Sequence, residues 1–127
     1  MNAAGGSLAR TGARAVLLLT VAITLLGGLG SGLARLGWQM DAASTDWILI
    51  HGPLMICGFL GTLISLERAV ALASRYRWSM AAPVISALGG AALLVAPHSD
   101  AGKALVTAGS GGLVVLCLAM YRLHPSR

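Results

Sequence analysis

The sequence predicts an all-α integral membrane protein, with four transmembrane helices in an up-down-up-down arrangement and both termini in the cytoplasm. The chain of 127 residues is 57% hydrophobic and 10% charged, and its mean hydropathy is +0.82. It contains four long apolar segments, and its basic residues collect at alternate ends of those segments. A water-soluble domain of this length cannot bury so much apolar surface. We therefore expect a lipid bilayer to cover it.

The four apolar segments cover about 13–36, 47–73, 78–96 and 102–121, and we expect them to form a single transmembrane domain over residues 1–127. Each has about 20 residues or more, which is enough for a helix to cross a hydrocarbon core of about 30 Å. Residue types that cap helices precede the second helix (Ser44, Thr45, Asp46) and the fourth (Ser99 or Asp100). The short connections predict antiparallel neighbours. The chain also fits the first part of a longer architecture.

The charged residues predict the orientation of the bundle. One side carries most of the basic residues, and the other carries two basic residues together with three aspartates: Arg10, Arg14, Arg68, Arg75, Arg77, Arg122 and Arg127 against Arg35, Lys103, Asp41, Asp46 and Asp100. The positive-inside rule places the first group in the cytoplasm, and we expect a multi-pass protein of a bacterial inner membrane. A cleaved signal peptide at the start is the alternative, but the apolar run is long for one and Arg35 would lie at the cleavage site.

Several functional classes are disfavoured by the residue pattern. The net charge is +5, yet the arginines form no stripe with interleaved aromatic residues, so we predict no nucleic-acid partner. Cys57 and Cys117 lie in apolar runs without paired spacing and are predicted to be packing residues. The stretch GGLGSG follows no strand and lies inside a predicted membrane helix, which argues against a phosphate-binding loop.

Small residues at intervals of four predict close helix packing. Gly28 and Gly32 form such a pair in the first helix, and Ala108 and Gly112 form a second pair in the fourth. Pairs of this kind let neighbouring helices approach closely in membranes. Four helices have limited need for so many small faces, so we expect partners as well, either other membrane subunits or further copies of the chain.

The second helix carries the polar residues that bear on function. At about 100° per residue, one narrow face contains His51 and then small or polar side chains: Met55, Gly58, Thr62, Ser65, Ala69 and Ala73. Gly58, Thr62 and Ser65 can admit either a flat ligand or a neighbouring helix. His51 either bonds a carbonyl or interfacial water, or serves as an axial ligand to haem iron. Pro53 frees the carbonyl of Leu49, which is a candidate partner for a ring N–H.

A resemblance favours the second of these alternatives. The stretch HGPLM, residues 51–55, resembles the His-Gly-x-x-Met motif on the second helix of haem-copper oxidase catalytic subunits, in which the histidine ligates the low-spin haem near the outer membrane face. The longer stretch HGPLMICGFLGTLISLERAVAL is similar to bacterial polytopic membrane proteins related to the NnrS-type proteins of nitric oxide metabolism, which are thought to hold haem and copper. The resemblance implies that His51 binds b-type haem iron, with Met55, Gly58 and Thr62 beside the cofactor.

The chain departs from that pattern in its length and in its other histidines. Such proteins are longer, and their remaining ligands come from later helices. Here the other histidines are His98, predicted in the outer connection on the same side as His51, and His124, predicted as an interfacial residue of the tail. A bis-histidine site with His98 is conceivable, although a histidine in a loop beside a proline is more often solvated.

Glu67 and Arg68, near the inner end of the second helix, have a structural interpretation and a functional one. Structurally, Arg68 extends to the phosphate level and Glu67 pairs with Arg75 or Arg77. Functionally, Glu67 takes up protons, but no relay to His51 is visible in the sequence. Two functions follow: a redox-associated membrane protein that binds b-type haem through His51, or a non-catalytic accessory subunit that packs through small-residue faces. A transporter is a weaker third, and no independent catalytic constellation is present.

Overall fold

The structure, a computed structural model, describes the backbone of residues 3–38 and 45–123 and the side chains of residues 11–38 and 46–123. Regular structure in these ranges is helical and includes no strand. The helices are Ala3–Arg35, then the consecutive pieces Thr45–Leu49, His51–Pro53, Leu54–Gly61 and Thr62–Leu72, then Arg77–Met80 with Ala81–Val95, and finally Asp100–Leu123.

Four helical stretches of the described chain are long and apolar enough to cross a membrane. They are span 1 (Thr11–Arg35), span 2 (His51–Leu72), span 3 (Arg77–Val95) and span 4 (Asp100–Leu123). These bounds agree with the four predicted segments to within a few residues, except that the first helix begins at Ala3 rather than near residue 13. The first turn of span 3 is a 3₁₀-helix. The all-helical, four-span prediction is confirmed.

Contacts between successive spans have antiparallel register. Gly32 lies against His51 and Gly28 against Met55, so span 1 descends as span 2 rises. Gly109 lies against Ser86 and Gly112 against Ala82 in the same sense between spans 3 and 4. The succession is therefore up-down-up-down, as the short connections predict. The end that contains His51 is called the His51 end below, and the opposite end, with Arg14, Arg75 and Arg77, the basic end.

The four spans do not form a square bundle. Spans 2 and 3 pack against each other at the centre, span 1 contacts both of them, and span 4 packs most extensively against span 3 and also contacts span 2. Spans 1 and 4 have no comparable interface. As a result both outer spans expose long apolar faces, for example at Leu26 in span 1 and Val114 in span 4.

The buried polar side chains of the described bundle are all hydroxyls: Thr24, Ser31, Thr62, Ser65, Ser79 and Ser86. Thr24, Ser31 and Ser65 donate to carbonyls three or four residues earlier in their own helices. Ser79 instead donates across the interface of spans 2 and 3, to the carbonyl of Ala69 at 2.9 Å. Four of these six hydroxyls are thus bonded in a closely packed environment without water, whereas those of Thr62 and Ser86 have no hydrogen-bond partner among the described residues.

The first half of span 2 is not a regular α-helix, because Leu54–Gly61 is π-helical. The segment starts directly after Pro53, whose nitrogen has no hydrogen to donate. A π-helix holds more residues in each turn than an α-helix, so the predicted spacing of about 100° per residue holds only in part. Gly58, Thr62, Ser65 and Ala69 of the predicted face are buried. Leu54 and Gly61 are buried, which that spacing did not predict, and Ala73 at the far end of the predicted face is exposed.

Candidate functional site

His51 lies in the first turn of span 2, where it packs across the last turns of span 1. Its Nδ1 is 2.7 Å from the carbonyl oxygen of Gly28. A carbonyl oxygen can only accept a hydrogen bond, so Nδ1 carries the proton in this contact. Ser31 donates its hydroxyl to the same carbonyl at 2.9 Å and lies 3.5 Å from Nδ1. The ring is therefore held in one orientation by span 1.

Glycine at position 32 makes this position of the ring possible. A Cβ built on Gly32 would lie 2.9 Å from Cε1 of His51 and 3.1 Å from Nδ1. Any larger residue would push the imidazole away from the Gly28 carbonyl. Gly28 also lies close to span 2, because a Cβ there would lie 2.6 Å from the sulfur of Met55, and the flexible Met55 side chain would have to move. The predicted Gly28–Gly32 pair thus contacts two residues of span 2, Met55 and His51.

The second ring nitrogen of His51 is left for another partner. In the neutral imidazole with a proton on Nδ1, Nε2 carries a free lone pair. The ring lines an open cavity of about 610 Å³ at the His51 end of span 1. Its other described lining residues are four that give it an apolar wall and one that supplies a cation: Leu29, Gly32, Leu33, Leu36 and Arg35. We call it the His51 groove.

The predicted partner of the ring N–H was the carbonyl of Leu49, and this prediction is wrong. The bond goes to Gly28 on the neighbouring span instead. Leu49 lines a different cavity, of about 350 Å³, together with Pro53 and residues of spans 3 and 4. Span 1 lies close enough to reach the ring because its own residues there are glycines.

The other predicted site residues of span 2 contact helices and leave no slot for a flat ligand. Met55 packs on Gly28, and a Cβ on Gly58 would meet Thr24 at 3.4 Å and the Cα of Gly90 at 3.5 Å. Thr62 is fully buried, and its hydroxyl has no hydrogen-bond partner among the described residues. Of the two alternatives for this face, the neighbouring helix fills it.

His98 does not join His51 in a common site. Its Nε2 lies 2.9 Å from a carboxylate oxygen of Asp46, and both side chains are largely exposed. His98 lines the cavity that contains Leu49, whereas His51 lines the His51 groove. His124 lies outside the described residues. Within the described residues, no group of three or more His, Cys, Asp or Glu side chains could hold a metal ion.

Glu67 and Arg68 differ from their predicted arrangement. Glu67 is exposed, and in the described part of the chain it makes no ion pair with Arg75 or Arg77. Arg68 is partly buried, with Nη1 3.7 Å from the sulfur of Met120. Its Nε is buried without a hydrogen-bond partner in the same ranges. The predicted pairing of Glu67 is wrong because its side chain points away from the bundle.

The second predicted small-residue pair is only half used within the chain. A Cβ on Gly112 would lie 2.8 Å from Cβ of Ala82, so Gly112 makes a close contact with span 3. Ala108 is exposed, and Gly109 makes the neighbouring contact instead, because a Cβ there would lie 2.9 Å from Cα of Ser86. Sequence spacing identified the helix and one of its two contact positions, Gly112, and missed the other by one residue.

Three features of the site were not predicted from the sequence: the Gly28 carbonyl, the arginine at position 35 in the groove, and the π-helical segment. The charge pattern predicts only that Arg35 lies on the outer side, together with Lys103 and the aspartates. The signal that could have found it is its spacing, since Gly28, Gly32 and Arg35 follow each other at intervals of four and three. Such positions lie on one face of a helix.

A family model described as "Domain of unknown function (DUF8744)" matches residues 14–127. The chain belongs to this family. The DUF8744 match covers nearly all of span 1 and the whole of spans 2 to 4, so the His51 groove lies inside the family domain. No curated protein and no solved structure matches the chain.

Proposed function

We propose that the chain is a multi-pass protein of a bacterial inner membrane, with the basic end in the cytoplasm and the His51 end outside. The support is the distribution of charge. Five arginines whose side chains the structure describes lie at or near the basic end: Arg14, Arg68, Arg75, Arg77 and Arg122. The His51 end has Arg35 and Lys103, which are balanced by Asp46 and Asp100. Positive residues are retained on the cytoplasmic side of membranes.

We further propose that His51 would hold the iron of a b-type haem and that the protein serves a respiratory or nitrogen-oxide redox system. The observation that carries this proposal is the hydrogen bond of 2.7 Å from Nδ1 to the Gly28 carbonyl. Histidines that bind metals usually donate their other ring N–H to a carbonyl or carboxylate, which fixes the ring and makes it a better ligand. The arrangement therefore presents Nε2, with its lone pair, to the groove.

The residues around Nε2 suit a haem at the edge of the bundle rather than inside it. Leu29, Leu33 and Leu36 supply an apolar wall, and Arg35 supplies a cation for the propionate groups. Gly58 and Thr62, packed by helices, take no part. A haem held there supplies one-electron transfer. The chain's own residues hold the ring tautomer, exclude water from one side and balance negative charge.

Haem binding by the purified protein tests this proposal. We expect haemin titrated into the detergent-solubilised chain to give a saturable Soret band, which is lost in His51→Ala. His98→Ala is the matched control, because His98 lies in a different cavity and is bonded to Asp46; it should bind haemin like the wild type. Equal binding by His51→Ala with an unchanged size-exclusion profile would reject the ligand assignment.

A second candidate is a non-catalytic accessory subunit, and the exposed face of span 4 favours it. Span 4 is the least buried of the four spans, at 17% of its apolar window. Ala108 is exposed there, and a Cβ on Gly111 would meet nothing within 4 Å. Small residues on an outward face suit the approach of another membrane helix.

Co-purification tests the accessory function. We expect stoichiometric membrane partners, or further copies of the chain, to remain bound in mild detergent and to be lost in Gly111→Leu. Val114→Leu, on the same outward face but at a position that already has a branched side chain, is the control. A monomeric particle without partners would count against this function.

A further inference from the structure

A second groove lies at the opposite end of the molecule, between spans 1 and 3. Its cavity volume is about 570 Å³. Span 1 contributes residues from Ala13 to Thr20, span 3 contributes Met80 to Ala91, and Ala73 closes it at the end of span 2. We call it the basal groove. It shares no lining residue with the His51 groove.

The basal groove exists because spans 1 and 3 touch at one end and separate at the other. Toward the His51 end, a Cβ on Gly27 would lie 2.5 Å from the Leu94 side chain, and one on Gly90 would lie 3.1 Å from Thr24. Toward the basic end, Leu17 and Ala87 form a buried floor with Leu66. Above that floor Val16 and Val84 are exposed, at 63% and 40%. Span 4 packs against spans 3 and 2 and contributes none of the described lining residues of the groove.

The described lining of the basal groove is apolar except for two residues of span 1. Among the lining residues that the structure describes, the charged one is Arg14, at the basic end of span 1. Thr20 is the remaining polar residue, and its hydroxyl donates to the carbonyl of Val16 at 3.0 Å within the helix. A long apolar channel with a cation at one end matches a molecule with an apolar tail and an anionic head.

The length of the groove identifies the tail. Met80 and Ala91 are eleven positions apart on span 3, which corresponds to about 16 Å of helix rise. This is about half of a hydrocarbon core of about 30 Å, and therefore the depth of one leaflet. A transmembrane helix of a partner would need a groove along the whole span. An acyl chain of a lipid extends over one leaflet, so a groove of this length is sufficient for it.

We infer that the basal groove is a binding site for an anionic phospholipid, with an acyl chain against spans 1 and 3 and the phosphate at Arg14. The bilayer supplies this ligand at high concentration, and basic pockets between membrane helices on the cytoplasmic side are known to bind anionic head groups. The inference is independent of haem binding at the other end.

Lipid retention measured by native mass spectrometry tests the inference. The protein is reconstituted in nanodiscs of phosphatidylglycerol and phosphatidylcholine in equal amounts and then released into detergent. We expect retained phosphatidylglycerol to exceed phosphatidylcholine. Arg14→Gln should lower the retention of phosphatidylglycerol about fivefold, the equivalent of about 1 kcal/mol for one basic residue at the surface. Arg122→Gln, an exposed arginine at the same end but outside the groove, should not.

A second pair of variants tests the acyl-chain part. Val84→Trp places a large side chain into the opening and should reduce the retention of both lipids, whereas Val114→Trp on the exposed face of span 4 should reduce neither. The inference is overturned if Arg14→Gln leaves the preference for phosphatidylglycerol intact. It is also overturned if Val84→Trp retains lipid like the wild type, or if Val84→Trp instead dissociates a dimer of the chain.

Discussion

The hydrogen bond between His51 and Gly28 has two roles. It joins spans 1 and 2, and it fixes the orientation of the ring that we propose as a ligand. Its geometry depends on two glycines with different roles. The carbonyl of Gly28 accepts the bond, and the missing side chain of Gly32 leaves room for the ring. A substitution at position 32 therefore changes the position of the His51 ring while the histidine itself stays in the chain.

We predict that Gly32→Ala disturbs the ring without removing it. The new Cβ would lie 2.9 Å from Cε1, a distance that requires the imidazole to move. Haemin affinity should fall by about tenfold or more, because loss of an outer hydrogen bond to a metal-binding histidine costs about 10–100-fold in affinity. Titration measures this. Gly12→Ala, where a Cβ would meet nothing within 4 Å in the same helix, is the control and should bind normally. Unaltered affinity in Gly32→Ala would contradict the role of the ring orientation.

For His51, the sequence identified the residue but not the group that accepts its hydrogen bond. An apolar helix with one histidine near its end predicts that His51 needs a bonding group, because an unpartnered polar group is costly in lipid. Which carbonyl accepts the bond depends on how closely span 1 approaches, and this is set by packing between helices. For the same reason Glu67 was assigned a wrong partner: distance along the chain from Arg75 and Arg77 does not define the direction of its side chain.

Among the elements, span 2 departs most from an ideal helix, and the departure changes which residues face the bundle. The π-helical segment was not predicted, because Pro53 indicates a local disturbance without specifying how the chain resolves it. π-Helical turns inside α-helices are rare and often occur at functional sites. Here the segment joins the turn that carries His51 to the regular helix from Thr62 onward.

Deletion of one residue distinguishes the π-helical segment from the α-helical remainder of span 2. Removal of Ile56, which is 67% exposed, should let the segment return toward an α-helix while the flanking residues keep their faces. Removal of Ile64, which is 37% exposed in the α-helical part, should rotate the following residues by about 100° and bury polar ones. We expect thermal unfolding in detergent to show a large loss of stability for the deletion of Ile64 and a small loss of stability for the deletion of Ile56. Equal losses would contradict the assignment.

The interface of spans 3 and 4 gives a second prediction for an element. Gly109→Ala places a Cβ 2.9 Å from the backbone of Ser86, which cannot yield as a flexible side chain can. We expect a loss of about 1–3 kcal/mol in unfolding free energy. Gly111→Ala faces open space two residues later and should be neutral or stabilising by up to about 1 kcal/mol. Denaturation of both variants in the same detergent measures the difference in stability. Similar stability of the two variants would mean that the interface of spans 3 and 4 is not tightly packed.

For the whole molecule, the order of the spans was predictable and their arrangement was not. Apolar segments of sufficient length with short connections predict four antiparallel helices. The central position of spans 2 and 3 follows from contacts such as that between Gly58 and Gly90, which no periodicity in one helix reveals. The gap between spans 1 and 4 results from this arrangement and leaves both outer faces uncovered.

Orientation can be tested by labelling single cysteines in a variant without Cys57 and Cys117. Ala96 lies in the connection between spans 3 and 4, and Ser74 lies in the connection between spans 2 and 3; both are exposed. If the basic end is cytoplasmic, a membrane-impermeant maleimide should label Ala96→Cys in intact spheroplasts. Ser74→Cys should react only after permeabilisation. The reverse pattern would place the His51 groove inside the cell.

The central claim, that His51 holds a haem at the edge of the bundle, is tested most directly by the reduced-minus-oxidised absorbance spectrum of the protein purified from membranes. We expect a b-type band in the wild type, the same band in His98→Ala and no band in His51→Ala. A wild-type preparation without the band, or a band that is unchanged in His51→Ala, would contradict the claim.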